Sequence, residues 1–170
     1  LIAKQGADMA ETIKNICSIV NGPVSAEVTA TEFTKMLEEG EYLASLAKNV
    51  AVKVPLTVDG LKTCKSLREK GIMVNVTLCF SAAHALLAAK AGALFISASL
   101  GWLDDIGEKG MDLIEDIVIM YENYAFETEV LVASIRTKQH VIDSAVIGAH
   151  VATLPPKVIY ELYDHFLTDK

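Results

Sequence analysis

Lys53 is the residue whose setting promises chemistry. It lies within Val50-Ala51-Val52-Lys53-Val54-Pro55-Leu56, a single cation among apolar neighbours. Such a setting solvates an ammonium poorly and favours the neutral amine. A neutral amine can attack a carbonyl carbon and condense to a Schiff base. The protonated imine then withdraws electrons, which is what carbon–carbon cleavage needs. Glu27 is a carboxyl group suited to shuttling the protons. Thr77 can hold a water, and Ser134 with Arg136 can bind an anionic substrate end. A plainer account uses the same residues. A strand lysine is often a guard on a sheet edge, with Glu27 as its ion-pair partner. Asn75 and Thr77 can be interior hydrogen-bonding side chains. Ser134-Ile135-Arg136 can be a strand end with a solvated charge.

The elements that must position these residues are legible as an alternation. Short runs rich in Val, Ile and Leu occur at Pro23–Val28, Val50–Leu56, Val74–Phe80, Leu94–Ser99, Glu129–Ile135 and Val151–Leu154. Helical patterns separate them at Glu32–Leu46, Val58–Lys70, Ser81–Ala91, Gly110–Asn123 and Lys138–Ile147. Thr57 and Ser81 are helix caps, Gly92 and Gly148 are stops, and Pro155-Pro156 opens a last helix. Leu1-Ile2-Ala3-Lys4 runs straight into a further helical pattern. Regular alternation of strand and helix predicts a parallel sheet, as either an open doubly wound sheet or a closed barrel. No glycine-rich phosphate loop follows a strand, which weakens the nucleotide-binding version.

The strands themselves favour the barrel. Val52 and Val54 oppose Ala51, Lys53 and Pro55; Val74, Val76 and Leu78 oppose Asn75, Thr77 and Cys79. The apolar faces can meet the helices, and the polar faces then converge on an interior. That convergence gathers Glu27, Lys53, Asn75, Thr77, Ser97, Ser134, Arg136 and Thr153. A half-solvated antiparallel sheet would alternate similarly, but the intervening helices argue against it.

The chain has 170 residues, 52% of them apolar, and a net charge of −7. That length supports one domain over 1–170 with a real core. No basic patch suggests nucleic acid, and no apolar run is long enough for a membrane span. Cys17, Cys64 and Cys79 form no CxxC pair and no metal-ligand spacing, so a reducing cytoplasm is the expected compartment. Asp104-Asp105 is expected at a helix N-terminus, and His84 as a satisfied surface or interface histidine.

Several segments, in order, carry a resemblance to a known family. These are Ser25-Ala26-Glu27-Val28, Lys53-Val54-Pro55-Leu56-Thr57, Asn75-Val76-Thr77-Leu78, the run at 85–92, Leu103-Asp104-Asp105-Ile106-Gly107 and Ala133-Ser134-Ile135-Arg136. Together they resemble the small transaldolase subfamily, which includes the fructose-6-phosphate aldolases. The resemblance implies a (β/α)8 TIM barrel, a Schiff base on Lys53, and Glu27 acting as acid and base through a water held by Thr77. It implies that Asn75 and Ser97 line the site, with Ser134 and Arg136 toward a substrate phosphate. The implied reaction moves a dihydroxyacetone unit between sugar phosphates in the pentose phosphate pathway, with no metal or organic cofactor. Implied partners are the sugar phosphates and further copies of the chain, as a pentamer or decamer.

The chain departs from the pattern in three places. Six strand segments are found where the family has eight. The family's opening strands, with a catalytic Asp and a Thr-Thr-Asn-Pro ending, are expected to precede Leu1. The family's C-terminal helix is expected to follow Lys170. Finally, the family's Ser-Pro-Phe-x-Gly-Arg stands here as Ser97-Ala98-Ser99-Leu100-Gly101-Trp102, so Trp102 replaces a phosphate-binding Arg. Two alternatives follow: an impaired barrel with a structural or assembly role, or an aldolase with a preference for non-phosphorylated substrates. A metabolite-binding open sheet is a third.

Overall fold

The computed structural model describes residues 8–168 and residue 170; Leu1–Lys4, the opening of the expected N-terminal helical run, lie outside the described residues. Two compact units emerge, one of residues 8–77 with 87–94, the other of residues 78–86 with 95–168 and 170.

In the first unit, β1 (Val24–Glu27), β2 (Val50–Pro55) and β3 (Met73–Cys79, with its last two residues in the second unit) run parallel in that order. Parallel neighbours need long crossovers, which helices supply. Here these are α2 (Phe33–Leu46) between β1 and β2, and α3 (Val58–Glu69) between β2 and β3; α1 (Met9–Ile19) precedes β1. Val52, Val54, Val74 and Val76 are fully buried together with Met36 and Leu43 of α2 and Leu67 of α3. Each such side chain contributes about 1.5–3 kcal/mol when taken out of water. A Cβ on Gly40 would stand 3.0 Å from Leu67 Cδ1 and 3.3 Å from Val52 Cγ1, so its absence lets α2 settle onto β2 and α3.

Thr57 caps α3, its hydroxyl accepting the Gly60 N–H at 3.0 Å. Thr57→Ala leaves that donor without its side-chain partner, so a loss of about 1 kcal/mol is expected. The urea midpoint, at unchanged slope, measures it.

In the second unit, β4 (Phe95–Ser99), β5 (Glu129–Ala133) and β6 (Val151–Ala152) are again parallel and in order. The helices are α4 (Ala82–Lys90, which contributes residues to both units), α5 (Leu100–Asp105), α6 (Gly110–Asn123), α7 (Lys138–Ile147) and α8 (Pro156–Glu161). Ile96, Val130 and Val132 are buried with Leu100, Ile114 and Ile117. Tyr121 donates its buried hydroxyl to the Ala85 carbonyl at 2.7 Å, and burial raises its pKa. Gly148 ends α7 at φ 96°, the left-handed conformation that a side chain would resist.

All six expected strands are present, with ends shifted by up to two residues. One of those shifts has a backbone cause, and a second residue of the same conformation breaks the alternation inside a strand. Leu78 takes φ 60°, which ends the alternation of β3 and leaves the side chain 37% exposed instead of aligned with Val74 and Val76. Ser134 takes φ 60° as well, which stops β5 at Ala133. Both are left-handed conformations uncommon outside glycine. The sequence reading gave no helix to Leu100–Asp105, which is too short to show a period. Asp104 and Asp105 therefore end α5 instead of opening a helix, although Asp104 does accept the Gly110 N–H at the start of α6, at 3.1 Å.

Candidate functional site

Strand register builds the first part of the site. Glu27 of β1 is level with Lys53 of β2, and Lys53 is level with Asn75 of β3. Level residues on adjacent strands share a face, so the three side chains form one row across the first unit. Lys53 Nζ donates to Glu27 Oε2 at 3.3 Å. The amine and the carboxylate are thus within proton-exchange distance.

Lys53 is half-buried, with 28% of its side chain exposed, and Glu27 is 54% exposed. The poor solvation expected from its apolar sequence neighbours is therefore only partial. Val52 and Val54 take the face packed by helices, while Lys53 shares its face with small Ala51 and half-buried Pro55. Exposed Ser25 and Glu27 border it on β1. Large apolar neighbours, which would have enclosed the lysine, are on the opposite face.

Asn75 is buried and donates through Nδ2 to Ser25 Oγ at 3.1 Å. Ser25 is level with Ala51 on the intervening strand, whose methyl group leaves the span open. Thr77 is buried, two residues beyond Asn75 on the same strand and level with Pro55. Its carbonyl accepts the Leu56 N–H at 2.8 Å.

The turn after β2 is tightly built. A Cβ on Gly60 would lie 1.8 Å from the Pro55 carbonyl oxygen. Only glycine allows the first turn of α3 to meet the end of β2 this closely, two residues past Lys53. A glycine three residues after a threonine cap was the sequence signal for this contact, and sequence reasoning missed it.

The second unit holds the other expected residues. Ser97 and Ser99 are buried on one face of β4. Ser134 stands beyond β5, and its carbonyl oxygen would be 2.3 Å from a Cβ on Gly101. Arg136 forks onto both carboxylate oxygens of Asp105, with each side chain about half exposed. That hydrogen-bonded pairing lowers the Asp105 pKa and raises that of Arg136. Asp104 is 3.6 Å from His140 Nε2. Trp102 is 52% exposed and stacks on Phe80, with ring centroids 5.9 Å apart. His84 accepts the Phe80 N–H through Nδ1 at 3.4 Å, a local structural contact. Thr153, expected with the converging faces, is exposed just past β6.

Other chemistries have less support. Burial pushes the Cys64 thiol up to about 12 and the Cys79 thiol up to about 11, so neither is a thiolate nucleophile at neutral pH. Among the described residues no group of three or more His, Cys, Asp or Glu side chains is placed to hold a metal ion. No helix among them is long and apolar enough to cross a membrane.

Comparison with known proteins adds the remaining findings. The family model Transaldolase/Fructose-6-phosphate aldolase matches residues 6–170. A probable transaldolase of Ruegeria sp. (strain TM1040) is 61% identical over 170 residues, covering 100% of this chain and 78% of its own. A probable transaldolase of Novosphingobium aromaticivorans is 62% identical over the same coverage. A crystal structure of inosine 5' monophosphate dehydrogenase from Legionella pneumophila matches with a TM-score of 0.64 at 19% identity, over 89% of this chain and 49% of that one. The last likeness is one of fold alone, and the chain spans about half the length of that structure.

Proposed function

Because the chain belongs to the transaldolase/fructose-6-phosphate aldolase family and has the fold of part of a (β/α)8 barrel, we propose that Lys53 forms a Schiff base with a ketose. The enzyme then transfers a dihydroxyacetone unit from a ketose phosphate to an aldose phosphate. The observation that supports this reading is the 3.3 Å approach of the Lys53 amine to the Glu27 carboxylate within the row Glu27–Lys53–Asn75.

The chemistry follows from that pair. Glu27 takes a proton from the Lys53 ammonium, and the free amine adds to the ketone carbon. Loss of water gives an iminium ion. Removal of the β-hydroxyl proton then breaks the bond between the α and β carbons. An aldehyde departs, and the bonding electrons pass to the iminium nitrogen, which leaves an enamine. The enamine carbon attacks an acceptor aldehyde, and water releases the product and regenerates Lys53. Glu27 moves the protons through a water at Thr77. Asn75 and Ser97 contact the substrate, and Ser134 with Arg136 binds its anionic end. The lysine supplies the electron sink, so the scheme uses no metal or organic cofactor. The pathway proposed is the pentose phosphate pathway, in the cytoplasm, with the enzyme a homo-oligomer.

Sodium borohydride tests the scheme directly, since it reduces an imine to a stable amine. Incubation with fructose 6-phosphate or dihydroxyacetone is expected to add one reduced adduct to the intact mass, on Lys53. A protein that never acquires the adduct fits instead a barrel with a structural or assembly role. A second reading, preference for non-phosphorylated carbonyl compounds, draws on exposed Trp102 stacked on Phe80, where the resemblance expects an Arg.

A further inference from the structure

Arg136 offers a planar fork of donors that fits a carboxylate or a phosphate equally well. In the second unit that fork is filled by the two carboxylate oxygens of Asp105. Three features hold the pair in place. Asp105 ends α5, so its backbone is fixed by the helix. Gly101, one turn earlier, has no side chain, and a Cβ there would be 2.8 Å from Arg136 Nε. Asp104 adds a second negative charge, felt by Arg136. The exposed apolar side chain on the same short helix is an indole, Trp102, which brings no positive charge.

We propose that Asp105 is a specificity-determining residue acting through Arg136. Its carboxylate competes with the phosphate of a substrate for the guanidinium fork, and so raises the concentration of phosphorylated substrate needed to fill it. This deepens the aldolase reading and rests on it for the identity of the substrate, while the competition at Arg136 can be measured without any turnover. The pair is half exposed, and ion pairs of that kind open readily. Asp105 is therefore a competitor and not a permanent block. A ligand that binds only the open form has its affinity reduced by the open fraction.

The Nε–H resonance of Arg136 reports the fork directly. Titrated with inorganic phosphate, Asp105→Asn and Asp105→Ser are each expected to half-saturate at about twofold to sixfold lower phosphate than the wild type, the factor for an open fraction of about one half to one sixth. Glu108→Gln removes the same charge from the adjoining exposed turn without touching Arg136, and should leave the half-saturation unchanged. In turnover, the Asp105 variants should lower KM for fructose 6-phosphate by a similar factor, with kcat and the KM for dihydroxyacetone unchanged. Wild-type half-saturation in both Asp105 variants would overturn the proposal, as would an equal drop in Glu108→Gln. A protein that never traps a ketone with borohydride, yet titrates phosphate as stated, supports the competition at Arg136 and removes the Schiff-base reading instead.

Discussion

Lys53→Met is expected to abolish the borohydride adduct and to lower ketose cleavage and transfer on the order of 10³-fold or more, the scale on which enzymes lose turnover when a covalent nucleophile is removed. The reason is electronic. Without the iminium nitrogen, the electrons of the breaking carbon–carbon bond have only a neutral carbonyl to receive them. Methionine keeps an unbranched side chain of similar reach, so Val52 and Val54 on the helix-packed face are undisturbed. The ion pair lost is a half-exposed one, and such pairs contribute about 0–1 kcal/mol. The urea midpoint should therefore hardly move while activity disappears. Glu27→Gln separates the two roles further, since the amine remains and only the proton shuttle is lost. It should still form an adduct, more slowly, with turnover down about 10²–10⁴-fold. An adduct on Lys53→Met of wild-type yield would place the reactive amine elsewhere in the chain.

The face that Lys53 occupies was legible in the sequence, and the strand register agrees with it. Period-two alternation set Lys53, Asn75 and Thr77 on faces opposite Val52, Val74 and Val76, and the register makes Glu27, Lys53 and Asn75 a single row. Punctuation by Thr57, Ser81, Gly148 and Pro156 marked the helices, since each works through its own local backbone. What stayed hidden depends on contacts that no local pattern encodes. Asp105 and Arg136 are 31 residues apart in sequence and meet between the end of a six-residue helix and the segment after β5. Leu78 and Ser134 adopt φ 60° without being glycine, so nothing in their type announced that the alternation stops there. The partial exposure of Lys53 was hidden for a related reason. Its sequence neighbours are apolar, but along a strand the neighbours of a residue point to the other face.

Gly60→Ala should be the most damaging of the glycine replacements in the first unit. Its methyl would stand 1.8 Å from the Pro55 carbonyl oxygen and 3.0 Å from the Pro55 carbonyl carbon, and both are backbone atoms. A side chain in the way could rotate aside, whereas here the helix must lift off the strand. The same movement strains the Thr57 cap, whose hydroxyl accepts the Gly60 N–H. Overpacking typically costs about 1–3 kcal/mol, and a lost cap adds about 1, so a total of about 2–4 kcal/mol is expected. Gly22→Ala is the control, because nothing lies within 4 Å of its added Cβ; its urea midpoint should stay close to the wild type. The site should suffer as well as the fold. Pro55 is two residues past Lys53 and level with Thr77, so displacing it shifts the strand end that aims the amine. Adduct formation in the fraction that remains folded should therefore slow. A Gly60→Ala protein with wild-type midpoint and wild-type trapping rate would mean that α3 can retreat from β2 at no cost, and that the turn has no part in holding Lys53 in place.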